Sequence, residues 1–193
     1  MTDYFALLDE PRRPWLDAAI LKQKFLALSA DAHPDRVHGA TAQEKKSANE
    51  RYTQLNAAYQ CLGNPRDRVR HLLELELGRK PDDLDRVPDE LMDSFMSVAE
   101  ILREADKFLG EREKAVSPML QVQLFERAQT FVERLVEIEK IVAASRGKMI
   151  RELQALNDVE TLPLQRLEEI YRLLGYYDRW LKQIQERRVR LSL

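Results

Sequence analysis

Apolar residues recur at three- and four-residue steps along most of this 193-residue chain, the step that lines them up on one face of an α-helix. Ile20, Leu21, Phe25 and Leu28 form the first such face, on a helix predicted from an N-cap at Asp17 to about residue 32. Pro34 disfavours helical geometry at His33, so the helix stops there. Thr41-Ala-Gln-Glu44 has the form of a capping box, in which the hydroxyl caps the amide at 44 and the carboxylate reaches back. The helix it opens runs to about Leu62, with Tyr52, Leu55, Tyr59 and Leu62 as its buried stripe. Gly63-Asn64-Pro65 breaks the chain, and a helix from Arg66 to Leu77 ends on Gly78. A short apolar segment, Tyr4 to Leu8, comes before all of these and predicts a turn or two of helix.

Residues 79–89, RKPDDLDRVPD, are polar and hold two prolines. They place a linker at 79–88, between domains at 1–78 and 89–193. Beyond it the pattern becomes heptad-like. Leu91, Phe95, Val98, Leu102, Ala105 and Leu109 alternate four- and three-residue steps, and so do Leu124, Ala128, Phe131, Leu135, Ile138 and Val142. The second series continues through Met149, Leu153 and Leu156, and a third runs Leu167, Ile170, Leu174, Tyr177, Leu181 and Ile184. Such repeats pack knobs-into-holes against partner helices, and three of them in one chain predict an up-down-up bundle. Ser117-Pro118 marks the start of the middle helix, and residues 157–161 mark the turn into the last. The predicted fold class is all-α: an N-terminal antiparallel hairpin, then a three-helix, coiled-coil-like bundle.

Composition agrees. Hydrophobic residues make up 44% and charged residues 33%, with only 6 glycines and 8 prolines, as long solvated helices require. The net charge of −2 gives no general attraction to nucleic acid. Cys61 stands alone, so an intrachain disulfide is excluded and a zinc cluster lacks its thiolates. The opening MTDYFALLDE has no basic region or long apolar run, and no stretch reaches the roughly 18–20 apolar residues of a membrane span. A cytoplasmic protein without cofactor or resident metal is expected.

The helix stop at His33-Pro34-Asp35, followed by a polar loop and an antiparallel helix, resembles the J-domain of DnaJ-type co-chaperones. Tyr4 to Leu8 before it, Phe25 and Leu28 behind it, and Leu55, Ala58, Tyr59 and Leu62 after it belong to the same pattern. The stretch LNAAYQCLGNPRDRVRHLLELELG, residues 55–78, is similar to the HscB-type J-proteins of iron–sulfur cluster assembly. Leu55, Asn56, Ala58, Leu62, Pro65, Arg68, Leu72 and Leu73 match that family's pattern, as does the opening Asp3 to Leu8, while His71 replaces its common tyrosine.

The resemblance implies a partnership rather than catalysis. His33, Pro34 and Asp35 would trigger ATP hydrolysis by a seventy-kilodalton heat-shock-class chaperone, HscA-like or DnaK-like. Arg36, Lys22 and Lys24 would add positive charge to that contact. The C-terminal helices would carry an IscU-like iron–sulfur scaffold protein, with no nucleic acid or membrane involved. The residue chemistry suits the first role: Pro34 fixes the backbone, Asp35 can take a bidentate arginine, and His33 can donate or accept. Leu26, Ala27 and Ala32 stand where the family is commonly basic or aromatic, and residues 1–78 hold 11 Lys+Arg against 11 Asp+Glu. Electrostatic steering is therefore expected to be weak.

The heptads leave apolar residues over. Met92, Met96 and Ala99 form a second stripe on the first bundle helix, and Leu173, Tyr176 and Trp180 do so on the last. Exposed apolar stripes mark partner sites, and methionine adapts to irregular surfaces. The resemblance implies a client site of Leu91, Met92 and Phe95 with Leu173 and Tyr176, and Met96 joins it from the second stripe. At about 1.5 Å per residue, Met92 would lie level with residues 176–181 of an up-down-up bundle. The alternative is a J-protein that binds another client or dimerises. An enzyme using His33 and Asp35 as an acid/base pair is disfavoured, because they flank a proline and no second acid/base site or cofactor motif appears. Cys61 reads as ordinary packing, His38 and His71 as solvent or rim histidines, and Arg187-Arg188-Val189-Arg190 as a solvated helix end.

Overall fold

The structure, a computed structural model, describes residues 2–32, 41–82, 87–114 and 117–192. Within them the chain is all-α: α1 Tyr4–Leu7, α2 Ala18–Asp31, α3 Ala42–Gly63, α4 Pro65–Leu77, α5 Met92–Arg112, α6 Pro118–Ala155 and α7 Leu164–Ser192. Single 3₁₀ turns at Asp89–Leu91 and Leu156–Asp158 lead into α5 and out of α6. Two compact units result, one of Met1–Asp82 with Ile150–Tyr171, the other of Asp83–Met149 with Arg172–Leu193. The turn between α6 and α7 thus packs with the N-terminal helices, although it lies far beyond them in sequence.

In the first unit α1 to α4 each start where a short polar side chain meets orphan amides. Asp3 accepts from the amides of Phe5 and Ala6, and Asp17 from those of Ala19 and Ile20. The Thr41–Glu44 capping box closes in both directions. Asn64 ends α3 and caps α4 through the amides of Arg66 and Asp67, with Pro65 at the first helical position. Gly78 adopts φ +67° to end α4, a left-handed geometry that other residues resist.

The inward face of α2 runs through Leu21, Phe25 and Leu28, and Phe25 stacks on Tyr59 of α3 at 4.3 Å. Ile20, expected on that face, is 52% exposed, because Leu21 takes the inward position about 100° around the helix. Arg68 enters this interior without a carboxylate. Its Nε donates to the Pro14 carbonyl at 2.9 Å and its Nη1 to the Leu62 carbonyl at 2.5 Å. Burial pulls the guanidinium down to about 10, so it stays charged at neutral pH.

The turn after α6 joins this unit through main-chain mimicry. Asn157 Oδ1 accepts from the Trp15 amide and its Nδ2 donates to the Trp15 carbonyl, at 3.0 and 2.8 Å. Arg66 lies over the Tyr171 ring and bonds its hydroxyl, and Arg79 reaches Glu168 at 3.0 Å.

The second unit realises the heptads. Leu91, Val98, Leu102, Ala105 and Leu109 of the first series, Leu124, Ala128, Leu135 and Val142 of the second, and Tyr177 and Ile184 of the third share one core, with Phe95, Phe131 and Ile138 packed on it. The exposure expected for Leu173, Tyr176 and Trp180 is not found: all three are buried in the same core. Every residue of α7 from Leu173 to Tyr177 is buried. A helix apolar around most of its girth is enclosed rather than laid on a surface, so both of its stripes are interior.

Arg68→Met keeps an apolar stem but leaves the Pro14 and Leu62 carbonyls without a donor. At about 1–3 kcal/mol per unpaired buried group, the two carbonyls predict a loss of about 2–6 kcal/mol in urea unfolding. A loss below about 1 kcal/mol would contradict the role given to the guanidinium.

Candidate functional site

Two surfaces carry the residues singled out in the sequence. The first is the outer face of α2 with the ends of α2 and α3 on either side of residues 33–40. His33, Pro34, Asp35 and Arg36, and also His38, lie outside the described residues. The two helix ends that flank this segment are described. α2 closes with the Ala32 amide donating to the Leu28 carbonyl at 3.1 Å, and α3 opens on the Thr41–Glu44 box, which holds the Glu44 carboxyl below its usual range. The Phe25–Tyr59 stack ties the two helices together.

The basic contribution of α2 is small. Lys22 is exposed. Lys24 is committed elsewhere: its Nζ donates to the Asp9 carbonyl and lies 3.1 Å from the nearly buried Glu10 carboxylate. Asp9 sits at φ +53°, a left-handed conformation that aspartate tolerates, and this turn holds its carbonyl against Lys24. Gln23, Leu26, Ala27 and Ala30 fill the outer face of α2. A partner approaching that face meets an apolar surface with Lys22 at its rim.

The second surface lies at the start of α5. Met92 is 41% and Met96 61% exposed, while Leu91 is buried beneath them. Phe95 is partly buried and lies 6.5 Å from Trp180 between ring centres. Trp180 contacts Tyr176 at 5.8 Å and Tyr177 edge-on at 5.9 Å. The beginning of α5 is therefore level with residues 176–180, as the helix lengths predict. The face consists of two exposed methionines on the start of α5, with four clustered aromatic rings, Phe95 among them, as the floor under that stretch of helix. Leu173 and Tyr176 belong to the floor and core rather than to the accessible surface. Tyr177, a core position in the heptad pattern, completes the floor; its spacing from Tyr176 and Trp180 is the signal that finds it.

The basic run near the end of α7 is not a free patch. Arg187 grips Asp106 through two bonds of 3.0 Å, Arg188 pairs with Glu139, and Arg190 reaches Glu113 at 3.1 Å. Arg112 donates to the Leu191 carbonyl at 2.9 Å. These pairs fasten the end of α7 to its neighbours, each contributing about 0–1 kcal/mol. Cys61 is half-buried, and burial pushes its thiol up to about 11, which removes nucleophilic character at neutral pH. Among the described residues no His/Cys/Asp/Glu group has the arrangement of a metal site, and no helix is long and apolar enough to cross a membrane.

No protein-family model matches the chain. It is 34% identical over 104 residues to the "Co-chaperone protein HscB homolog" of Chromobacterium violaceum, a match covering 53% of this chain and 59% of that protein. It is 38% identical over 72 residues to the homologue of Paraburkholderia phymatum and 35% identical over 74 residues to "Co-chaperone protein HscB" of Proteus mirabilis. These matches cover 41% and 43% of the two relatives, so the chain spans about half the length of the curated relatives it matches. In fold, the chaperone HscB from Vibrio cholerae superposes with a TM-score of 0.66 over 96% of both chains at 22% identity. The crystal structure of human co-chaperone protein HscB gives 0.65 over 98% of this chain and 81% of its own at 24% identity. These likenesses establish the fold over nearly the whole chain.

The floor and the surface of the methionine face should separate in stability measurements. Trp180→Ala should cost about 3–5 kcal/mol in urea unfolding, as large-to-small core changes do. Met96→Ala should change stability by less than about 0.5 kcal/mol. Equal costs would contradict the division.

Proposed function

We propose that this chain, a homologue of the HscB-type co-chaperones, is a cytoplasmic J-type co-chaperone of iron–sulfur cluster assembly that performs no catalysis of its own. Its N-terminal hairpin stimulates ATP hydrolysis by a seventy-kilodalton heat-shock-class chaperone, HscA-like or DnaK-like. Its C-terminal helices deliver an IscU-like scaffold protein to that chaperone. The observation that carries the reading is His33-Pro34-Asp35 in the segment that joins the end of α2 to the capped start of α3. The HscB-like fold over nearly the whole chain supports it.

In this reading the His-Pro-Asp motif works by presentation. Pro34 restricts its own backbone, and Asp35 offers both carboxylate oxygens to a guanidinium of the chaperone, a charge-assisted contact stronger than a neutral hydrogen bond. His33 supplies a donor or an acceptor beside it, and Arg36 and Lys22 add modest positive charge. Lys24, held by Asp9 and Glu10, contributes little. The apolar outer face of α2 therefore carries a larger share of the contact.

Client contact falls to Met92, Met96 and the accessible part of Phe95. Leu91, Leu173 and Tyr176 support that contact from beneath, since their side chains are buried. Unbranched methionine side chains can repack against an irregular apolar partner at low cost.

Asp35→Asn keeps the shape but removes the charge, worth about 1.5–3 kcal/mol in a hydrogen bond to an ion. Stimulation of the chaperone's ATPase should fall about 10–100-fold with the circular dichroism spectrum unchanged; undiminished stimulation would remove the J-domain role. Met92→Ala with Met96→Ala should weaken scaffold binding in calorimetry by about tenfold or more while leaving ATPase stimulation without scaffold intact. Unchanged binding would remove this client face.

A further inference from the structure

His71, expected at the rim, is buried in the first unit, 4% exposed. Its ring lies 4.7 Å from the Tyr4 ring and stacks on Phe5 at 5.7 Å with 15° between planes. Its Nε2 accepts the Tyr4 main-chain N–H at 3.0 Å.

This bond has a particular place in α1. A helix begins with amides that have no partner within it. In α1, Asp3 takes those of Phe5 and Ala6, and His71 takes that of Tyr4. An imidazole nitrogen accepts a hydrogen bond only when unprotonated, so the bond fixes the neutral ring with its proton on Nδ1. Protonation turns Nε2 into a donor facing another donor. The acceptor of the first α1 amide is then lost, and a buried cation is created beside two aromatic rings.

We infer that His71 is an acid-sensitive latch: its neutral ring holds α1 closed against α4, and each proton it takes up favours opening of residues 3–10.

The charged groups acting on the ring come from both sides. Asp3 at the cap of α1 and Glu74 on its own helix favour protonation, while Arg70 on its own helix and Arg12 from the segment after α1 oppose it. Burial outweighs them and holds the imidazole below its ordinary value. The Asp3 charge is already engaged. Burial works against it, but Arg12 at 2.8 Å and the two α1 amides keep its carboxyl below the usual range. Arg12 also lies 3.7 Å from Glu76. Asp3 therefore stays ionised over the range in which histidine titrates.

The sign follows from linkage. The open segment leaves His71 in water with a value of about 6.5, above that of the closed state, so opening takes up a proton in the interval between the two. Opening should grow by up to about tenfold per pH unit as the pH falls below about 6.5, and level off once the closed state is also protonated. The segment freed includes Phe5 and Leu8, both fully buried, and Asp9 and Glu10, the partners of Lys24. Opening is therefore a fluctuation that acid promotes rather than a complete release.

The test is amide exchange of the full-length chain followed residue by residue by NMR from pH 7.5 to 5, corrected for intrinsic rates, with the His71 ring titrated in the same samples. The Tyr4, Leu8 and Glu10 amides should lose protection with the stated slope, α6 amides should not, and the ring should titrate below 6.5. His71→Phe should open α1 more at every pH and remove the slope. Constant protection at these amides in the wild-type chain, or a ring titrating at or above 6.5, would overturn the latch whether or not the variant folds.

Discussion

One buried guanidinium organises the N-terminal unit. Arg68 donates to two main-chain carbonyls, Pro14 in the segment that leads into α2 and Leu62 in the last turn of α3. The second is one of the carbonyls a helix end leaves unpaired, and the first belongs to a loop that has no ladder to satisfy it. One side chain on α4 thereby fixes the start of α2 and the end of α3. Those two helices in turn flank His33-Pro34-Asp35 in the chain. Bringing the guanidinium inside costs solvation, visible in its lowered protonation value. The return is that a loop and a helix end are both satisfied by one group.

The second unit rests on a different constraint, the girth of α7. Because Leu173 to Tyr177 are all buried, this part of the helix lies inside its surroundings. Its aromatic residues, joined by Phe95, form a buried floor under the start of α5, where Met92 and Met96 stay exposed. Rigid rings below and flexible thioethers above make a surface that is fixed in place but adaptable in shape. Arginine–carboxylate pairs from Arg187, Arg188 and Arg190 fasten the far end of the same helix. Spread over a small unit, such pairs add orientation more than stability.

Features governed by local chemistry are legible in the sequence. Asp17, Thr41 with Glu44, Asn64-Pro65 and Gly78 each mark a helix end from within a few residues, and each stands where expected. The heptad phases identify the core positions because knob-into-hole packing repeats along one helix. What escapes the sequence depends on partners far away in the chain. Spacing shows which side of α7 a residue occupies, not how many neighbours enclose the helix, so it places Leu173, Tyr176 and Trp180 on the surface. Lys24 looks like a free cation because Asp9 and Glu10, which hold it, lie outside its own helix, in the turn after α1. His71 looks like a rim residue because its partner, Tyr4, lies 67 positions earlier. The terminal arginines look solvated because Asp106 and Glu113 lie on or just beyond another helix.

The central claim of the proposed function is that one chain couples a client-bearing face to a His-Pro-Asp motif that drives a partner's ATPase. It is tested most directly by single-turnover ATP hydrolysis on the seventy-kilodalton heat-shock-class chaperone, measured alone, with this chain, with the iron–sulfur scaffold, and with both. The account predicts acceleration by this chain alone, and with both an acceleration larger than the product of the separate effects. A rate with both present equal to that of the chaperone alone would contradict it.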